Sequence, residues 1–135
     1  MIDVTVPQYI DKQPFSIYYM TVSGHSVYTK TNHMSHKNYD VVADMDASEP
    51  VKCYYAANME LEYAMESLVR QLEEAGIADD TVIVIATDHY PYGLEKSSAW
   101  ENSTNHLPEL YGVDKVDLFV RDHNALIIWS GSIED

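Results

Sequence analysis

A chain of 135 residues with a formal net charge of −14 is long enough for one domain with its own core. Its acidity argues against nucleic acid and anionic membrane surfaces as partners, since both repel a polyanion. The single Cys53 excludes an internal disulfide, and no stretch approaches the roughly 18–20 consecutive apolar residues of a transmembrane helix, so the chain itself reads as soluble. Met1-Ile2-Asp3-Val4-Thr5-Val6 lacks the basic and long apolar regions of a signal peptide; any targeting or anchoring signal of a longer parent would lie outside these residues.

Residues 1–14 are polar and interrupted by Pro7 and Pro14, which predicts a lead-in with a short edge strand. Residues 15–22, Phe-Ser-Ile-Tyr-Tyr-Met-Thr-Val, are rich in aromatic and β-branched side chains and predict the first strand. That strand ends at Ser23-Gly24-His25-Ser26. Residues 27–49 show no sustained period and predict a long loop with one short helix near 34–42; loops of that length in compact domains are usually functional or mobile.

Pro50 opens the clearest helix, residues 51–75. Tyr54, Ala57, Leu61, Met65, Leu68 and Leu72 recur at three- and four-residue steps and make one apolar stripe, and Gly76 follows the last turn. Cys53 falls in this helix as a small core residue rather than a reactive thiol. Glu60, Glu62, Glu66, Glu73 and Glu74 fall on its solvated side, with Glu66 and Arg70 spaced for an i,i+4 pair. Residues 81–86, Thr-Val-Ile-Val-Ile-Ala, then form a continuous apolar run of the kind buried on both faces of a parallel sheet. Strand, helix, strand in that order predicts a parallel pair with a right-handed crossover. Beyond Gly93 the chain is polar to about residue 105. Residues 107–111 and 114–121 are short amphipathic helices, and residues 125–130, Ala-Leu-Ile-Ile-Trp-Ser, are a third strand. Three strands with one long helix leave part of a parallel sheet bare, which reads as part of a larger α/β domain or as a domain that borrows a partner's surface.

The chemistry concentrates just past residues 81–86. Asp88-His89 follows the apolar run, and Tyr90-Pro91-Tyr92-Gly93 turns the chain. In open α/β sheets ligands bind beyond the carboxyl ends of strands, and a carboxylate beside an imidazole suits Mn²⁺, Mg²⁺ or Zn²⁺. The competing reading makes Asp88 a cap for the turn and His89 a polar surface residue. His25 follows the other strand's end and shares the same crevice if the two strands are neighbours; there it could hold a phosphate or sulfate oxygen. Ser23 and Ser26 do not fit the nucleophile-elbow spacing, with a glycine two residues to each side of the serine. His33, His36, His106 and His123 lie in polar segments and are assigned to the surface. Asn102-Ser103-Thr104 matches the N-glycosylation sequon.

Tyr18–Tyr28 around the Gly24-His25 turn, Tyr54–Glu62, residues 72–85, the block Thr87-Asp-His-Tyr-Pro-Tyr-Gly-Leu94, and the strand at 125–130 together resemble the alkaline phosphatase/sulfatase superfamily, and within it the lipoteichoic acid synthase and phosphoglycerol transferase branch. The resemblance runs in family order over most of residues 15–131. It implies a partial alkaline-phosphatase-like α/β sandwich, a mostly parallel sheet with flanking helices. It implies that Asp88 and His89 ligate the catalytic divalent metal, Mn²⁺ or Mg²⁺ with Zn²⁺ less favoured, and that His25 contacts the substrate phosphate. The family's reaction attacks a phosphodiester headgroup with a metal-bound threonine. That threonine and the first acidic ligand belong upstream of the His25 block, and Asp3, Thr5 and Asp11 do not reproduce their motif.

No residue here therefore inherits the nucleophile's role, and residues 1–135 read as part of a catalytic domain, inactive in isolation. The implied parent is a membrane-anchored enzyme on the extracellular face of a bacterial cell, acting on an anionic phospholipid headgroup. Two other readings stay open: a sulfatase or phosphatase hydrolysing sulfate or phosphate esters, and a non-catalytic binding module that retains the fold. A bare sheet edge is expected to promote dimerisation.

Overall fold

The longest helix organises the chain. The computed structural model describes residues 1–96 and 104–133, so the first two residues of the Asn102-Ser103-Thr104 sequon lie outside the described part. Helix α3 spans Glu49–Glu74, with Pro50 in its first turn, where a missing N–H costs nothing. It ends in a Schellman motif: Gly76 adopts φ 70°, its N–H donates to the Glu73 carbonyl at 2.9 Å, and the Ile77 N–H reaches back to Leu72 at 3.0 Å. The expected Glu66–Arg70 pair is not the one formed; Arg70 pairs with Glu74 at 3.1 Å.

The described chain divides into two compact units. One comprises Met1–Thr21, Leu61–Ala86 and Ala125–Asp135; the other comprises Val22–Glu60 and Thr87–Asn124.

The first unit is built on Leu68, Leu72 and Ile77. The lead-in is helical rather than an edge strand: α1 covers Ile2–Thr5 and a 3₁₀ turn covers Val6–Gln8. Ile2 and Val6, four residues apart, are both buried in this cluster, and Pro7 sits in the first turn of the 3₁₀ segment, where it is tolerated. Residues 15–22 join no ladder. Phe15 and Tyr19 pack against the cluster, while Tyr18 is 88% exposed. The Tyr19 hydroxyl bonds the Thr5 hydroxyl at 2.6 Å and the Tyr9 hydroxyl at 3.1 Å, so side chains rather than a strand partner fix this segment.

Strands β1 (Ile83–Ala86) and β2 (Leu126–Trp129) pair antiparallel, with Ile83 opposite Trp129 and Ala86 opposite Leu126. This corrects the parallel arrangement and the mostly parallel sheet expected from the sequence. The βαβ argument required residues 15–22 as its first strand. With those residues outside the ladder, β1 takes its direction from β2, which returns alongside it. The strand is also not buried on both faces: Ile83 and Ile85 are half-buried while Val82 and Val84 are exposed. Helices and a small sheet together keep the chain in the α/β class.

The second unit packs around Tyr28, Val51, Cys53, Leu94 and Leu107. Helix α2 (His33–Val42) is capped by the Asn32 side chain, which accepts from the Met34 and Ser35 N–H groups. Its buried polar face grips the start of α3: the Ser35 hydroxyl donates to the Cys53 carbonyl at 2.9 Å, and the Asn38 amide donates to the Ala56 carbonyl at 3.1 Å and to Glu60 at 2.8 Å. Two short helices follow, α4 (Leu107–Tyr111), closed by Gly112 at φ 65°, and α5 (Leu118–Asp122), capped by the Asp117 side chain. The second of these begins four residues later than the sequence pattern placed it.

Candidate functional site

Two turns of the second unit are pinned against each other by glycines and by one buried leucine. After β1 the chain runs through Thr87, Asp88 and His89 into the 3₁₀ turn Tyr92–Leu94, which Pro91 enters without a side-chain cap; Asp88 is therefore not its capping residue. Leu94 is fully buried and anchors this turn in the core. A Cβ on Gly93 would stand 2.6 Å from Cβ of Ser26 and 2.9 Å from Cε2 of Tyr28, so the turn lies directly on residues 26–28. A Cβ on Gly24 would stand 2.5 Å from Oδ1 of Asn58, so the His25 turn rests on α3.

This close packing brings the sequence-predicted residues together, although residues 15–22 supply no strand. The His25 and His89 rings meet edge-on with centroids 5.8 Å apart. Tyr92 completes the group, its ring 5.9 Å from His25 and 4.7 Å from His89, and its hydroxyl lies 2.9 Å from Nε2 of His25. Asp88 projects outward with its side chain 95% exposed, and its Oδ2 stands 3.7 Å from Nε2 of His89.

The hydrogen bonds assign the ring protons. Nδ1 of His89 lies 2.8 Å from the Tyr90 carbonyl oxygen, which can only accept, so Nδ1 carries a proton, and in the neutral ring this leaves the Nε2 lone pair on the Asp88 side. A backbone carbonyl on the far ring nitrogen is the arrangement that orients metal-ligating histidines. Tyr90, which supplies that carbonyl, is itself held: its hydroxyl donates to Glu95 at 2.8 Å and the Arg121 guanidinium stacks 4.6 Å from its ring. The Glu95 hydrogen bond, helped by burial, raises the Tyr90 phenol above its usual range.

A divalent ion bonded at roughly 2.0–2.2 Å can reach two donors up to about 4 Å apart, so the Asp88 and His89 atoms fit one ion between them. Among the described residues no group of three or more His, Cys, Asp or Glu side chains could hold a metal. The pair therefore offers two donors at most, and an ion held there would take its remaining ligands from water or substrate oxygens.

One cluster was missed by sequence reasoning. His106, assigned to the surface, has a side chain only 16% exposed. Its Nδ1 lies 3.1 Å from the Ser48 hydroxyl and 3.4 Å from Glu109. Both oxygens meet the same ring nitrogen, so the imidazole cannot relay a proton from one to the other, and the Ser–His–acid trio is not a nucleophilic triad. It works as a clasp on the start of α3, with the Ser48 N–H also donating to Glu109. Burial pushes the Glu109 carboxyl up, but hydrogen bonds from Ser48 and His106 outweigh it and hold the group below its usual value. Nothing local signals this cluster, because its members are far apart in the chain. The hollow lined by Lys30, His36, Lys37, Tyr39 and Asp40 is no anion site either, since Lys30 pairs with Glu49 and Lys37 with Glu60, each at 2.8 Å.

Comparison with known proteins yields a family model described as Sulfatase, which matches residues 3–125. A curated relative, the lipoteichoic acid synthase of Staphylococcus saprophyticus, is 27% identical over 119 residues, which is 88% of this chain and 17% of the relative. The chain thus spans about a sixth of that relative's length. No solved structure matches the chain significantly.

Proposed function

The chain belongs to the sulfatase family, and on that premise we propose that residues 1–135 carry the Asp88–His89 part of a divalent-metal site in a phosphoglycerol-transferase-like enzyme. The substrate would be a phosphodiester headgroup at the surface of a bacterial cell. The observation that supports this reading is the Asp88–His89 pair itself, a carboxylate 3.7 Å from a ring nitrogen whose opposite nitrogen is tied to a backbone carbonyl.

In this reading Asp88 supplies a charged oxygen ligand and His89 supplies Nε2. The favoured ion is Mn²⁺ or Mg²⁺, which when bound would activate an attacking hydroxyl and offset charge on the transferring phosphoryl group. That cation also explains how a chain of net charge −14 could tolerate an anionic substrate. His25 lies one ring away, and to bind a phosphoryl oxygen it would exchange one of its two present hydrogen bonds, to the Ser26 carbonyl or the Tyr92 hydroxyl, for the substrate. With two donors and no third among the described residues, the chain by itself is expected to be inactive.

Turnover of a chromogenic phosphodiester, a phosphomonoester and a sulfate ester with Mn²⁺ tests this, using the isolated chain and a longer protein that carries these residues. The longer protein should turn over the phosphodiester best and lose that activity in Asp88→Ala, while the isolated chain should show none. Preferential hydrolysis of the sulfate ester would replace the transferase reading with a sulfatase. Turnover by the isolated chain that vanishes in Asp88→Ala would overturn its inactivity.

A further inference from the structure

We propose that Tyr92 is a positioning residue that holds His25 in place, its hydroxyl donating to Nε2 of the tautomer that the Ser26 carbonyl selects. His25 has two hydrogen-bond contacts at opposite ends of its ring. Nδ1 lies 3.2 Å from the Ser26 carbonyl oxygen, and Nε2 lies 2.9 Å from the Tyr92 hydroxyl. The carbonyl can only accept, so Nδ1 bears the proton. In the neutral ring Nε2 is then an acceptor, and the Tyr92 hydroxyl must donate to it. The order is Tyr92 O–H to His25 Nε2, and His25 Nδ1–H to Ser26 carbonyl. Neither end can reverse without breaking the bond at the other.

The tyrosine also packs against both imidazoles, 5.9 Å from His25 and 4.7 Å from His89, which meet each other at 5.8 Å, and its hydroxyl occupies the His25 lone pair that could otherwise turn toward a metal. His25 is thereby kept as a neighbour of the Asp88–His89 pair rather than a further ligand. Gly93, the next residue, allows this arrangement because any side chain there would collide with Ser26 and Tyr28. The hydrogen-bond order stands on these contacts alone; its bearing on phosphoryl recognition rests on the function proposed above.

Nitrogen-detected NMR of the histidine rings reads the claim directly and needs no turnover. At pH about 8.5, where an ordinary imidazole is neutral, His25 of the unaltered chain should show a protonated, upfield Nδ1 and an unprotonated, downfield Nε2. Tyr92→Phe removes only the hydroxyl; it should move the unprotonated Nε2 further downfield, as loss of an accepted hydrogen bond does, while His89, tied to Tyr90, keeps its pattern. A role in packing alone would leave the His25 signature unchanged in Tyr92→Phe, and that result overturns the proposal. A His25 already protonated at Nε2 in the unaltered chain overturns it as well. If amide dispersion shows that Tyr92→Phe is unfolded, the unaltered chain decides: coupling between the Tyr92 hydroxyl proton and His25 Nε2 supports the bond, and its absence refutes it. Failure of the metal reading with the expected His25 pattern intact would leave this inference standing, so the two are separable.

Discussion

Gly93 carries the closeness of the two histidine turns. Its φ is not in the left-handed region, so its requirement is steric. Gly93→Ala places a methyl group against Ser26 and the buried Tyr28 ring, and overpacking of this kind typically costs about 1–3 kcal/mol. Urea denaturation should show that loss, and the His25–Tyr92 hydrogen bond should weaken with it; an unchanged midpoint contradicts the packing described. Cys53 makes a second test at this scale. Burial pushes its thiol up to about 11, and the residue is fully enclosed, so at pH 8 it should react with a disulfide reagent only as fast as the chain opens. Rapid stoichiometric labelling of the folded chain would contradict its place in the core.

At the scale of elements, α2 is held to α3 by a polar contact the sequence reading took for solvated surface. Lys37 and Asn38 hydrogen bond Glu60 and hold its carboxyl below the usual carboxylate value, burial opposing them. A depressed folded-state value means that the unfolded state binds the proton more readily. The stabilisation is therefore complete above the ordinary glutamate value of about 4.3 and is lost as pH falls through the lower folded value. Glu60→Gln should reduce stability at neutral pH by about 0.5–1.5 kcal/mol, one hydrogen bond's worth, and flatten the fall in urea midpoint below pH 5. Equal acid slopes for the two proteins would remove Glu60 from the account.

Elements whose cause is local were legible. Asn32, Pro50 and Gly76 bound α2 and α3 close to where the pattern placed them. Residues 15–22 were not, because β-propensity records fit to a half-buried pleated surface and says nothing of whether a partner strand is present. The lead-in was misread for a related reason: Ile2 and Val6 show their helical spacing only once the cluster they bury against is known. In the candidate site, the nearness of Asp88 and His89 to each other follows from their adjacency after an apolar run, whereas a tyrosine inside a turn carries no signal that its hydroxyl reaches His25.

Across the molecule the unusual feature is apolar surface left open around a two-stranded sheet. Val84 and Ile128 are paired neighbours and are 59% and 55% exposed, and a two-stranded sheet is marginal without further cover. Self-association through a sheet edge follows as a proposal. The net charge of −14 opposes it, so added salt should strengthen it by screening. Light scattering should find a dimer favoured by salt and weakened in Val84→Lys; a strict monomer at every salt concentration contradicts it. The same charge makes any metal measurement demanding, since Glu60, Glu62, Glu66 and other carboxylates offer diffuse attraction. Mn²⁺ titration followed by paramagnetic broadening of amide signals separates the two effects and tests the central claim. Substoichiometric Mn²⁺ should broaden residues 24–28 and 87–93 first, and His89→Ala should abolish that pattern. Broadening spread along the acidic face of α3, or a pattern unchanged by His89→Ala, would contradict a metal site at Asp88 and His89.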